Sequence, residues 1–212
     1  MLKEAGVTDS KLLSNEKRLE LDAWIREMAE ERGWKFALHI SVPEEIDWAM
    51  TATNLNDHEV SLFAKLACKL HPKEGGGILQ VDACDADARR FGNNVASRLT
   101  DWPWEEWTID SRHGADLYLL TVGAASILAK VARDRAIEEI SAGLGFEVGS
   151  GYPSDPKTIA AIPKMIEGDS PHTSLRWKWA TVNTAWQEKY GVPVPSRPRD
   201  GATPQTAQRT LF

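Results

Sequence analysis

The segment Val122-Gly123-Ala124-Ala125-Ser126-Ile127-Leu128-Ala129-Lys130-Val131-Ala132-Arg133-Asp134 constrains this chain more than any other. It predicts a helix that packs tightly, because Gly123, Ala124, Ala125, Ser126 and Ala129 let a helix approach a sheet closely. Lys130, Arg133 and Asp134 follow three and four apart, so they crowd one face about a turn further on. A carboxylate beside two cations at the rim of a core suits a site that handles a phosphodiester and a metal ion. The alternative is a core helix carrying one ion pair at its exposed end.

The surrounding pattern predicts strands alternating with helices, hence an α/β domain. Ser14 is placed to cap a helix whose Leu19, Ala23, Trp24 and Met28 share a face, with Gly33 as its stop. Residues 36–42 alternate as a strand would, and Pro43 opens a short helix. Asn56 and Glu59 resemble a capping box before a helix over 60–70. Residues 73–77 read as a turn; their three glycines have no Gly-Lys-Thr context and form no phosphate loop. Strands are expected at 78–82, 107–110 and 115–120. Helices are expected at 86–99, 122–142, 158–167 and 177–189. The Pro-, Arg- and Thr-rich stretch from Val192 has no period and reads as a flexible tail. The domain division is then 1–145 for the α/β core, 146–191 for a helical part and 192–212 for the tail.

Composition narrows the function classes. Apolar residues make up 42% of the 212, enough for a core, and 26% are charged, as in soluble proteins. No apolar run reaches the length of a membrane span, and Met1-Leu2-Lys3-Glu4 is no signal peptide. Cys68 and Cys84 lack any CxxC partner, which suits reduced thiols and a cytoplasmic address. A net charge of −6 argues against a general nucleic-acid coat, but not against a nuclease with acidic metal ligands. The cations group as Lys11, then Lys130, Arg133 and Arg135, then Arg176 and Lys178. Most of the nine Trp residues read as packing rather than as base-stacking platforms. His113 and His172 stand in no metal-ligand spacing.

Four segments in one order carry a resemblance. Gly6-Val7-Thr8-Asp9-Ser10-Lys11, Val81-Asp82-Ala83-Cys84-Asp85 with Arg90-Phe91-Gly92, the 122–134 helix, and Gly149-Ser150-Gly151-Tyr152-Pro153-Ser154-Asp155-Pro156 resemble the successive motifs of type 2 ribonucleases H (ribonuclease HII), in their archaeal form. Leu175-Arg176-Trp177-Lys178-Trp179 continues the match. The resemblance implies a ribonuclease H-like mixed sheet flanked by helices, with a helical C-terminal portion. It also implies cleavage of the RNA strand of RNA–DNA hybrids and nicking at ribonucleotides embedded in DNA, with Mg²⁺ or Mn²⁺ as cofactor, by a monomer.

The resemblance further implies that Asp82 and Asp134 are the third and fourth acidic residues of the family's site. Lys11 and Lys130 would contact phosphates, with Ser10 and Arg133 as weaker nucleic-acid contacts. Tyr152 would sense the ribose, since a phenol can stack on a sugar and hydrogen-bond its 2′-hydroxyl. Asp85 and Asp87 read as charges at a helix start. The family's opening strand, with its Asp-Glu-Ala-Gly-Arg-Gly motif and two further acids, has no counterpart before Gly6. The sequence therefore also allows a nucleic-acid-binding remnant without catalysis, poorly folded as given, or a misplaced start and a longer, active natural protein. The C-terminal Gln205-Thr206-Ala207-Gln208-Arg209-Thr210-Leu211-Phe212 partly resembles the sliding-clamp-binding tail of archaeal members; an unpartnered tail is the alternative.

Overall fold

The computed structural model describes residues 1–70 and 75–198. They divide into two compact units. The first comprises Met1–Ile40 and Thr53–Glu147, and the second comprises Ser41–Ala52 and the chain from Val148.

The first unit opens with the short helix α1 (Leu2–Ala5) and a 3-10 turn, Ser10–Leu12. Helix α2 (Asn15–Arg32) follows, with Ser14 accepting the Lys17 N–H at its start and Gly33 turning left-handed at its end. These are the caps expected from sequence. Helix α4 (Leu55–Leu70) starts earlier than expected, because Asn54 rather than Asn56 accepts the Asp57 N–H. Strand β1 (Gly77–Asp82) pairs in parallel with β2 (Trp107–Arg112), with Asp82 in register with Arg112. Between them lies α5 (Ala88–Ala96), capped by Asp87. After β2 come α6 (Ala115–Tyr118) and the long α7 (Leu120–Leu144), which Gly145 ends in a left-handed turn.

Two expected strands do not form. Residues 36–42 alternate but pair with no strand among the described residues, and their apolar members Phe36, Ile40 and Val42 are exposed. Alternation supplies a face; only a neighbouring ladder makes a strand of it. Residues 115–118 are helical instead, because Gly114 turns left-handed and the Asp82 carboxylate takes the Ala115 N–H, and Leu119 is an extended break before α7.

Two apolar clusters fill this unit. One joins Val60, Ala64, Val81, Phe91, Val95 and Trp104, and the other joins Val7, Leu21, Ile25, Ile127 and Leu128. Trp102, Trp104 and Trp107 pack edge to face at 5.4 and 5.7 Å against the first cluster, the packing role expected for them. Buried Asp22 on α2 accepts both Arg26 nitrogens, at 3.0 and 3.1 Å, and Arg135 of α7 at 3.3 Å. That shared carboxylate ties α2 to α7 where apolar packing ends.

The second unit contains α3 (Pro43–Ala52), α8 (Pro156–Met165) and α9 (Ala180–Tyr190). Its inclusion of α3 was hidden in sequence, since 41–52 lie a hundred residues from the rest. Residues 192–198 have no helix or strand, yet Arg197 corrects the reading of a loose tail from Val192. Its side chain, 5% exposed, bonds Asp47 at 3.1 Å and the Thr173 carbonyl at 3.2 Å, and lies over the Trp177 ring at 4.5 Å. Asp47 also accepts the Trp177 N–H at 2.7 Å and the Lys178 N–H at 3.3 Å. Burial and the Arg197 charge both push the His172 imidazole below its ordinary value. The rest of the expected tail, with its clamp-like motif, lies outside the described residues.

Removing one member of a buried, hydrogen-bonded ion pair strands the other. Asp47→Ala is therefore expected to lower stability by ~3–5 kcal/mol, read as a shift in the chemical denaturation midpoint. Conversion of the pair to apolar residues, Asp47→Leu with Arg197→Met, is expected to recover part of that loss.

Candidate active site

The site is built at the C-terminal end of β1. Val81, 3% exposed, locks the strand into the core and leaves Asp82 at its end. The Asp82 Oδ1 accepts the Ala115 N–H at 3.0 Å, which fixes the start of α6 and sets the next residue, Asp116, beside it. From the other side comes the turn 7–12. Asp9 begins its 3-10 helix by accepting the Lys11 N–H at 2.8 Å. The Ser10 hydroxyl, buried, meets the Ser126 hydroxyl of α7 at 2.9 Å.

Gly123 allows this convergence. A Cβ there would stand 3.1 Å from the Asp116 carbonyl oxygen and 3.3 Å from that of Thr8. Helix, turn and α6 therefore meet at backbone distance, as the small-residue run predicts, although what α7 meets there is largely turn and helix rather than sheet.

Three carboxylates result: Asp9 and Asp116, both buried, and Asp82. Burial raises the Asp116 carboxyl above its ordinary value, and the neighbouring charges of Asp9 and Asp82 raise it further. The Lys11 ammonium opposes them, and a hydrogen bond to Asp9 adds to the rise. Like charges forced together in a shielded place are what a bound cation relieves.

The donor chemistry is that of a hard divalent ion. Among the described residues no three His, Cys, Asp or Glu side chains close around one point as a complete metal cage. Mg²⁺ does not need such a cage: it is commonly held by one or two carboxylates, with water and substrate phosphate completing its shell. Asp82 and Asp116 fit that pattern.

Asp134 is placed elsewhere. It lies about three helical turns, ~16 Å, beyond Gly123 along α7. Its partners are cations: Lys130 Nζ, Arg133 at 3.8 Å and Arg18 at 3.9 Å. Asp82 has Asp116 as its neighbour, while Asp134 is met by cations. The ion pair lies in the middle of α7, half-buried, rather than at an exposed helix end. Lys130 and Arg133 face Asp134, so the structure gives Lys130 a carboxylate partner where a phosphate was expected. Lys11 is exposed and acts on Asp116; Ser10 is buried and holds the turn.

Asp9 and Asp116 were missed as site residues. Asp9 lies inside the Gly6–Lys11 motif, where the resemblance points to Ser10 and Lys11 instead. Asp116 carried a usable signal, being the one acidic residue between Asp110 and Asp134. Asp85 pairs with Arg90, which draws its carboxyl down to about 2, and Asp87 caps α5 by accepting the Arg90 N–H at 3.0 Å. Both serve the helix start, as expected. His113 bonds the Asp85 carbonyl at 2.8 Å.

Tyr152 belongs to the second unit and is 46% exposed. Its loop is tightly built. Asp155 accepts the Ser150 N–H at 2.6 Å and the Lys157 N–H at 3.0 Å, bonds that pull its carboxyl down to about 2. Thr158 Oγ1 accepts the Gly151 N–H at 2.9 Å and bonds the Val148 carbonyl at 3.0 Å. Gly149, at φ +71°, has no room for a side chain, since a Cβ would fall 2.5 Å from the Asp155 carboxylate.

Comparison with known proteins identifies the family and the fold. The family model for ribonuclease HII matches residues 1–182. A ribonuclease HII of Methanococcus maripaludis is 38% identical over 188 residues, covering 88% of this chain and 75% of that protein. The crystal structure of the ribonuclease H2 from Pyrococcus horikoshii OT3 superposes with a TM-score of 0.73 at 31% identity, over 88% of this chain and 83% of that one. The structure of the PCNA:RNase HII complex from Archaeoglobus fulgidus superposes with a TM-score of 0.72 at 31% identity, over 87% and 82%. With the motifs in order, the carboxylates gathered at a strand end and the fold shared, the chain belongs to the ribonuclease HII family.

Proposed function

We propose that this protein is an endoribonuclease that cleaves the RNA strand of RNA–DNA hybrids and nicks DNA at embedded ribonucleotides. The observation that carries this reading is the meeting of Asp82 and Asp116, on separate elements, in a group of carboxylates that repel one another. Such an arrangement costs stability and is kept where a cation must bind. Mg²⁺ or Mn²⁺ held there supplies an activated water and a stabilised leaving oxygen.

The chain's own residues supply the rest. Asp82 and Asp116 hold charge and orientation, and Asp82 is itself held by the Ala115 N–H. Lys11 lies within electrostatic reach of Asp116 and is exposed to a phosphate. Such a contact positions a backbone without reading sequence. Tyr152, exposed on a loop pinned by Asp155 and Thr158, is suited to test a sugar for its 2′-hydroxyl. Asp134, Lys130 and Arg133 are assigned to positioning rather than to metal. Among the described residues no helix is long and apolar enough to cross a membrane. A sliding clamp is a candidate partner for the C-terminal motif, on the precedent of the Archaeoglobus complex. Binding without cleavage is the second reading, and it draws on the lack of three converging ligands among the described residues.

Two expectations follow from the carboxylates. Asp116→Asn is expected to abolish metal-dependent cleavage of a hybrid while binding survives. Undiminished turnover would remove Asp116 from the site. The same substitution is expected to stabilise the metal-free protein at neutral pH. The Asp116 carboxyl is raised in the folded chain, so the native state retains a proton that the unfolded chain releases, and stability falls as pH rises above the ordinary carboxylate value. The Asn variant lacks that cost, and its advantage should shrink as pH falls towards about 4. Denaturation curves at several pH values in chelator test this.

Tyr152→Ala should slow nicking at an isolated ribonucleotide more than it weakens hybrid binding, because backbone charge pairing is untouched. Equal losses in a cleavage assay and a binding titration would make Tyr152 a packing residue.

A further inference from the structure

Lys11 and Asp9 sit on a turn of only three helical residues, which has little internal means of holding its shape. Two ties to other elements are visible. One is the Ser10–Ser126 hydroxyl pair. The other begins at Arg18 on α2. One of its guanidinium nitrogens donates to the Ser10 carbonyl at 3.2 Å and to the Leu13 carbonyl at 2.6 Å. Those carbonyls bracket Lys11. The second nitrogen lies 3.9 Å from the Asp134 carboxylate and 3.4 Å from the Asn15 side chain. Arg18 is largely enclosed, its side chain 14% exposed. Asp134 in turn gathers Lys130 and Arg133.

We propose that Arg18 and Asp134 form a positioning pair that sets the turn carrying Asp9 and Lys11, and so places the Lys11 ammonium for a phosphodiester. A planar guanidinium is suited to this, because its fork can serve two carbonyls and a carboxylate at once, whereas a lysine ammonium offers a point charge. Asp134 keeps the guanidinium aimed; without that charge Arg18 is free to swing to solvent. The proposal rests on the nuclease reading only for the purpose of Lys11, and the positioning itself is measurable without activity.

The test combines amide hydrogen exchange and hybrid binding on the full chain. In the parent, the Leu12 N–H bonds the Asp9 carbonyl at 3.0 Å and the Lys11 N–H bonds the Asp9 side chain. Arg18→Met is expected to speed exchange at these two amides by about tenfold or more, the effect of losing a hydrogen bond to a charged group, with β1 amides unchanged. Asp134→Asn, which preserves shape, should speed the same amides by less, and Arg18→Lys should fail to restore them. By anisotropy, Arg18→Met should weaken binding of an RNA–DNA hybrid in the parent but add nothing in a Lys11→Met background. Unchanged exchange at Lys11 and Leu12, or losses that multiply in the double variant, would overturn the proposal. Faster exchange in Arg18→Met together with parent-like binding by Lys11→Met would uphold the positioning pair and remove Lys11 from phosphate binding.

Discussion

Asp9 and Asp82 both repel Asp116, and much of the first unit is arranged so that the three stay together. Within the trio the Asp116–Asp9 hydrogen bond alone favours closeness; burial and like charge both push the Asp116 carboxyl upward. The force that holds them comes from elsewhere. Val81 and Phe91 anchor β1 and α5 in one apolar cluster, and Val7 and Ile127 anchor the turn and α7 in another. Burying side chains of this size contributes ~1.5–3 kcal/mol each, so several together outweigh one unfavourable charge contact, about 4 kcal/mol at about 4 Å near a protein surface. Apolar packing thereby sets the geometry of charges that would separate if left free.

The close approach at Gly123 is where these forces meet. A methyl group there would press on two carbonyl oxygens, of Asp116 and Thr8, and on Val7. Displacing α7 by even a few tenths of an ångström would disturb the turn and α6 together, because both approach the same face of this glycine. The small-residue run matters less for helix propensity, which glycine lowers, than for the distance it permits. The charged middle of the helix serves the same purpose by other means: Asp134 meets Arg18, which holds backbone carbonyls of the turn.

Much of this was legible in sequence. The caps Ser14 and Gly33, the strand ending at Asp82 and the tightly packed helix all follow from local chemistry, and local chemistry decides them. Asp134 shows the limit. Lys130, Arg133 and Asp134 at helical spacing are what both a metal site and an ion pair produce, and the choice depends on which side chains arrive from α2. Arg18, 116 residues away, decided it. Asp116 was obscured for a related reason. Leu117 and Leu119 alternate like a strand, but a bond from Asp82, far back in the chain, turned that segment into a helix. Residues 36–42 failed in the opposite sense, with the pattern present and no pairing neighbour among the described residues.

The buried acids separate by their partners. Asp22 is met by two arginines, and Asp47 by Arg197 and two backbone N–H groups. The lone pairs of each are filled from within the fold, and each joins segments distant in sequence. Asp116 is buried to a similar degree but faces Asp9 and Asp82, with only Lys11 in opposition. A fold that supplies arginines to its structural carboxylates and withholds them from one cluster leaves that cluster short of positive charge. Local rules are broken where function requires it. Here the deficit falls at the end of β1, the place in an α/β fold where ligands bind, and it can be met by a cation from outside the chain.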